Sequence, residues 1–162
     1  MTEVSEVEEA FRHYWRTGAV GEDWDAWADL FTDDALYVEH VLGTMHGREE
    51  IRNWIIPIMN RYSELYTAYE WHMVDGDRVV MYMQNRRDDP EEGQPPIDFP
   101  GISILRYAGG GRWSYEEDYW SVPGAQAALE RYVERCAAVD PDHPGKRTRR
   151  NWPAGGPAWT RP

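Results

Sequence analysis

Two short charged runs stand about thirty residues apart, Arg86-Arg87-Asp88 and Glu116-Glu117-Asp118-Tyr119-Trp120. Each closes a stretch that alternates with period two, so each ends a strand whose alternate residues share a face. Asp118 then falls with Ser114, Glu116 and Trp120, and Arg86 and Asp88 fall with Tyr82 and Gln84. Ionisable side chains on a face that covers a core are costly unless they are paired or used. A carboxylate among aromatics has a raised pKa and can act as a general base, and a cation such as Arg86 would keep part of it ionised. In that reading Arg86 is a bridge or oxyanion donor with fixed fork geometry. Asp88 is a second acid, as is Glu116 unless it sits in water at a pocket mouth. The competing reading makes Arg86 and Asp118 a structural pair tying two strands, and makes Asp88 the start of the turn at Asp89-Pro90.

His40, an imidazole, is a further candidate base. His13, His46, His72 and His143 have no metal-ligand spacing, and a single cysteine, Cys136, excludes an intrachain disulfide and a cysteine-based zinc site. Gly109-Gly110-Gly111 joins two strands and opens no helix, so it is no phosphate cradle. Ser63, Ser103 and Ser114 lack the flanking glycines of a nucleophile elbow. The expected chemistry is general acid and base catalysis without cofactor or metal.

These residues must be held by helices first and strands after. Val4, Val7, Phe11, Tyr14 and Trp15 recur at helical spacing over residues 3 to 17, and Trp24, Trp27, Leu30 and Phe31 mark a short second helix capped by Asp23 or Asp25. Leu36 to His40 reads as a strand. A third helix carries Ile51, Trp54, Ile55, Ile58, Met59 and Tyr62, with Pro57 as a kink or break. Strands follow over Ala68 to Val74, Arg78 to Asp88, Ile97 to Tyr107 and Arg112 to Val122, joined by hairpin turns. Ala125 to Ala138 is a last helix, and the prolines after it end regular structure. The order implies an α+β fold, one curved antiparallel sheet closed by the N-terminal helices. It gives one domain, residues 1–139, and a Pro/Gly-rich basic tail, residues 140–162, extended or disordered, and docked on a surface if ordered.

Nine Trp and ten Tyr among 162 residues fill a wide core or line a pocket for an apolar ligand. Tyr14, Trp27, Trp54, Tyr62 and Trp120 are core aromatics by default and pocket aromatics at some positions. The net charge of −12 argues against nucleic acid and makes acidic substrates less favoured. The tail carries five basic residues against two acidic ones, so it is +3 on a body of −15 and is suited to lie on that body or on a partner. No run approaches a membrane span and Met1 to Glu9 is no targeting signal, so a cytoplasmic protein is expected. Met81, Met83, Ile102, Ile104, Trp113 and Tyr115 would form an apolar outer sheet face, which suggests a homodimer. If those residues instead form the core face, the acidic residues lie outside.

The order of elements resembles the nuclear transport factor 2-like superfamily. Trp24-Asp25-Ala26-Trp27-Ala28-Asp29-Leu30-Phe31-Thr32-Asp33-Asp34-Ala35 and His46-Gly47-Arg48-Glu49-Glu50-Ile51 are similar to its two most recognisable stretches, and the resemblance spans residues 3 to 138. It implies a cone-shaped α+β barrel and leaves the activity open, because isomerases, dehydratases, polyketide cyclases, epoxide hydrolases and binding proteins share the fold. Arg86-x-Asp88 and Asp118-Tyr119-Trp120 resemble the Arg-x-Asp and Asp-Tyr-Phe of limonene epoxide hydrolases. There the last-strand Asp activates water, the other Asp protonates the epoxide and the Arg bridges them. Tyr37-x-Glu39 stands where that family has Tyr-x-Asn.

Against ketosteroid isomerases and SnoaL-like cyclases, His40 falls at the general base, Ser103 near the oxyanion acid and Tyr14 near the helix-one tyrosine. Glu39 and His40 lie on opposite faces of a regular strand. The resulting expectation is an acid–base enzyme on an apolar neutral small molecule. Epoxide hydrolysis leads, a cyclase, isomerase or dehydratase follows, and a non-catalytic binder is the other class. Asp118, Arg86, His40, Asp88 and Glu39 are its candidate catalytic residues. Tyr14, Trp27, Trp54, Tyr82, Ser103 and Trp120 are its candidate substrate contacts.

Overall fold

A computed structural model describes residues 5–162; Val4, expected on the first helix, lies outside the described residues. Ser5 caps helix α1 (Glu6–Trp15) by accepting the Glu8 N–H, and Ala10, Phe11, Tyr14 and Trp15 form its buried stripe. The chain loosens into a π-turn (Arg16–Val20) before α2 (Trp24–Ala28). Gly18 makes that junction possible, because a Cβ there would stand 2.5 Å from the Trp27 ring. Strand β1 (Phe31–Glu39) takes up Phe31, which the helical pattern had claimed, and β2 (Gly43–His46) returns beside it. Helix α3 (Arg48–Arg61) runs on through Pro57 without a break. Strands β3 (Leu65–Asp75), β4 (Arg78–Arg87), β5 (Ile97–Gly109) and β6 (Arg112–Trp120) form the meander, and α4 (Val122–Val139) follows.

The six strands make one open sheet in the order β2-β1-β6-β5-β4-β3. The expected all-antiparallel sheet is corrected at one place: β1 and β6 pair parallel, Glu39 beside Asp118. Their connection runs through the rest of the fold, long enough for a crossover. The fold is the expected α+β cone, with helices closing the inner face. No helix among the described residues is long and apolar enough to cross a membrane.

The inner face decides what reaches the site, and two expectations about it are overturned. On β4 the buried positions are Val79, Met81, Met83 and Arg87, so the face holding Tyr82, Gln84 and Arg86 points outward. Methionines are the better core residues, and their burial fixes the strand's rotation. On β6 Trp113 is buried although Glu116 is buried too. The pairing slips between Trp113 and Tyr115 on both neighbouring strands, and such a slip inverts the alternation. The apolar outer patch therefore lacks Met81, Met83 and Trp113.

Residues 140–162 pack along the body. The ring of Trp159 lies 5.1 to 5.9 Å from those of Phe11, Tyr69 and His72, and the Trp15 indole N–H donates to the Thr160 carbonyl. Arg147 and Arg149 both bind Glu22. The expected complementarity of a basic tail to an acidic body is realised in these contacts.

Candidate active site

The inner face and the helices enclose a cavity of about 440 Å³, walled by Trp54, Ile58, Met83, Phe99, Trp120 and Leu129 among others. One row of the sheet supplies its chemistry. Met81 on β4, Ser103 on β5, Asp118 on β6 and Glu39 on β1 stand side by side in the pairing. Glu116 lies one inward step along β6.

Hydroxyls organise the two carboxylates. Ser103 Oγ donates to Asp118 Oδ1 at 2.5 Å, and the Tyr37 hydroxyl donates to Asp118 Oδ2 at 2.5 Å. The Tyr37 oxygen also lies 3.2 Å from Glu116 Oε1, which receives the Tyr14 hydroxyl at 2.7 Å. Glu116 Oε2 is buried without a partner among the described residues, as is Trp54 Nε1. Both residues belong to the cavity wall.

This geometry pulls the two acids to different protonation states. Burial pushes Asp118 up to about 6, against the pull of the Ser103 and Tyr37 hydrogen bonds and with the charge of Glu39 adding to the rise. Burial and the adjacent Asp118 charge push Glu116 well above the usual carboxylate range. Asp118 therefore gives up its proton more readily than Glu116, which divides base and acid roles between neighbours. Burial and the same carboxylates raise the Tyr14 and Tyr37 phenols well above 10, so both stay donors.

Not every expected residue is here. Tyr14, Ser103 and Asp118 meet, Trp54 and Trp120 line the wall, and Trp27 packs on Tyr14 with ring centres 5.6 Å apart. Glu39 faces inward and is buried, but three donors occupy it: the Trp120 indole at 3.0 Å and the N–H groups of Leu42 and Val41 at 2.9 and 3.2 Å. It acts on Asp118 by its charge.

His40 points outward, with Nε2 2.7 Å from Glu117 Oε2 and its ring against Tyr119, so it is removed from the base position. Arg86 does not approach Asp118. It grips Asp98 through Nε and Nη2 at 2.9 and 2.7 Å, and its Nη1 donates to the Asn151 carbonyl. Tyr82 stacks on Trp71 on the outer face. Asp88 is buried under the tail, where it accepts from Tyr66, Asn151 Nδ2 and the Arg150 N–H.

The inward arginine of β4 is Arg87, which the sequence reading passed over for its neighbour; the buried pair Met81 and Met83 was the signal that placed it. Tyr37 entered only through resemblance, and its contacts need the β1–β6 pairing. Among the described residues no cluster of metal-ligating side chains occurs.

A family model described as SnoaL-like domain matches residues 7–116. Of curated proteins, none matches the chain. Solved structures do. A protein of ketosteroid isomerase-like fold from Catenulispora acidiphila, in complex with trimethylamine, is 25% identical, with a TM-score of 0.58 over 78% of this chain and 93% of that one. A LEH-like epoxide hydrolase from M. tuberculosis is 17% identical, with a TM-score of 0.66 over 85% and 98%. A protein proposed to be a SnoaL-like polyketide cyclase, from Shewanella putrefaciens, is 14% identical, with a TM-score of 0.66 over 80% and 88%. The last two likenesses concern the fold.

Proposed function

Because this chain belongs to the SnoaL-like domain family, whose fold hosts several chemistries on one cavity, we propose that it is a cofactor-independent acid–base enzyme acting on an apolar small molecule with an uncharged reacting end. The observation that carries this is the buried pair Asp118 and Glu116, bridged by Tyr37 on the wall of an apolar cavity, with Glu116 the harder of the two to ionise.

Proton transfer beside a carbonyl fits the pair best. Asp118 takes a proton from the carbon next to the carbonyl. The carbonyl oxygen, gaining charge, accepts a hydrogen bond from the neutral Glu116, which Tyr14 holds in place. The resulting enolate then takes the proton back from Asp118 at another carbon in an isomerisation, or attacks a second carbonyl of the same molecule in a ring closure, where the alkoxide that forms takes that proton. The buried Trp54 N–H and the Glu116 acid are both donors lacking acceptors among the described residues, and a substrate carbonyl supplies what they need.

Epoxide opening is the second reading, since Asp118 could activate water and Glu116 protonate the oxygen. Its arginine bridge is missing, because Arg86 faces away. The reading also takes the protein to be cytoplasmic and a homodimer through the outer sheet face, where Trp71, Ile102 and Tyr119 are 44%, 38% and 47% exposed.

The rate is expected to rise with pH through about 6, as Asp118 ionises, and to fall at higher pH as Glu116 loses its proton. A pH series of the initial rate checks both limbs. The reaction type is tested by incubating the protein with neutral polycyclic ketones and apolar epoxides in deuterated, ¹⁸O-labelled water, followed by mass spectrometry. Deuterium beside the carbonyl, or a rearranged product free of ¹⁸O from the water, is expected. A diol carrying ¹⁸O would move the reaction to epoxide hydrolysis, and binding without any turnover would favour a non-catalytic binder.

A further inference from the structure

The cavity has a second polar feature, remote from the acid pair. Along β4 the inward residues Met81, Met83, Asn85 and Arg87 all line it. Met81 stands in the row of Ser103 and Asp118, whereas Arg87 pairs with Ile97, six residues further along. That is roughly 20 Å of strand. The wall between carries the apolar Met83, Phe99 and Leu129, and Asn85, whose Nδ2 donates to the Phe99 carbonyl at 3.5 Å.

Arg87 is only 4% exposed. Its Nε donates to Glu64 Oε1 at 3.2 Å and its guanidinium carbon lies 5.5 Å from the Tyr132 ring centre. Nη1 and Nη2 make no hydrogen bond among the described residues. Neither Nη atom is sealed off from solvent-sized space, and Arg87 lines the cavity, so this planar fork offers two parallel donors that match oxygen acceptors. Glu64 already balances the charge, so what the two Nη atoms can still take is acceptor oxygens.

We propose that Arg87 is a specificity-determining residue whose Nη1 and Nη2 bind an oxygen acceptor, a carbonyl or a carboxylate, at the end of the substrate away from the reacting carbon. The substrate is then two-ended: an apolar body between a carbonyl at Asp118 and Glu116 and a second oxygen group at Arg87. This rests on the acid–base reading of the cavity. The body charge does not forbid a carboxylate, because it is screened over about 8–10 Å at physiological salt while the guanidinium acts in contact.

The test is equilibrium binding of three probes to the full chain, followed by probe fluorescence: anthracene-2-carboxylate, 2-acetylanthracene and the oxygen-free 2-ethylanthracene. The wild type is expected to bind at least one oxygen-bearing probe about 10-fold or more tighter than 2-ethylanthracene. The double variant Arg87→Met/Glu64→Gln, which leaves no unpaired buried carboxylate, is expected to lose about 10-fold of that preference and keep only what Glu116 and Trp54 give a carbonyl, and Arg87→Lys to keep part of the Arg87 share. A stronger preference for the acid than for the ketone names a carboxylate; equal or reversed preference names a carbonyl. No oxygen preference in the wild type, or a preference undiminished in the double variant, overturns the proposal.

Asp118→Asn is expected to keep the oxygen preference. Its effect on turnover therefore judges the acid–base reading separately.

Discussion

Replacing Asp118 by Asn is expected to lower turnover roughly 10²–10⁴-fold, the usual share of a positioned general base, and to raise the melting temperature. Asparagine keeps the shape: its oxygen can accept from Tyr37 while its amide donates to a rotated Ser103 hydroxyl, so both present partners remain engaged. What it removes is a buried charge. The pKa of Asp118 in the fold, about 6, lies above its ordinary value of 3.8. The stability linked to its proton is therefore complete below about 3.8 and lost as pH rises through about 6. Above that, the ionised group costs on the order of 3 kcal/mol, which for a chain of this size is roughly 5–10 °C of melting temperature. A loss of activity together with a fall in melting temperature would mean that Asp118 is structural.

Asp88→Ala is expected to do the opposite and cost about 3 kcal/mol of stability. Its carboxylate receives the Tyr66 hydroxyl at 2.6 Å, Asn151 Nδ2 at 2.7 Å and the Arg150 N–H at 2.8 Å. Alanine leaves those three donors without an acceptor, and each buried orphan costs about 1–3 kcal/mol before relaxation. The melting temperature should fall by roughly 10 °C, and trypsin should cut the released tail at Arg147 and Arg149 sooner than in the wild type. Burial alone would raise the pKa of Asp88, but the hydrogen bonds from Tyr66, Asn151 and the Arg150 N–H outweigh it and hold the pKa below 3.8. The anchor therefore contributes above pH 3.8 and is lost as pH falls through the lower folded value. An unchanged melting temperature and cutting pattern would show that the tail is held by Trp159 and the arginines without it.

Much of the architecture was legible because it rests on period and punctuation. Tyr14 follows Phe11 on the buried stripe of α1, and Glu116, Asp118 and Trp120 keep strict alternation on β6 after its slip, so both elements deliver their residues where the pattern put them. The β4 residues did not follow. Arg86 and Arg87 are adjacent, and choosing between them needs the strand's rotation, which Met81 and Met83 set by packing into a core built by other elements. His40 and Glu39 pose the same question on β1, and there the parallel partner Asp118 decides it. Asp88 was legible as a carboxylate with a purpose, but two of its three partners, Arg150 and Asn151, come from the tail, a contact no local pattern encodes.

The central claim is that two neighbouring carboxyls hold different protonation states at neutral pH. The most direct measurement is a ¹³C NMR titration of the side-chain carboxyl carbons, with Asp118→Asn and Glu116→Gln used for assignment. The account predicts an Asp118 midpoint near pH 6 and a Glu116 signal still protonated when Asp118 has ionised. Two ordinary midpoints, with both groups ionised by about pH 5, would contradict it.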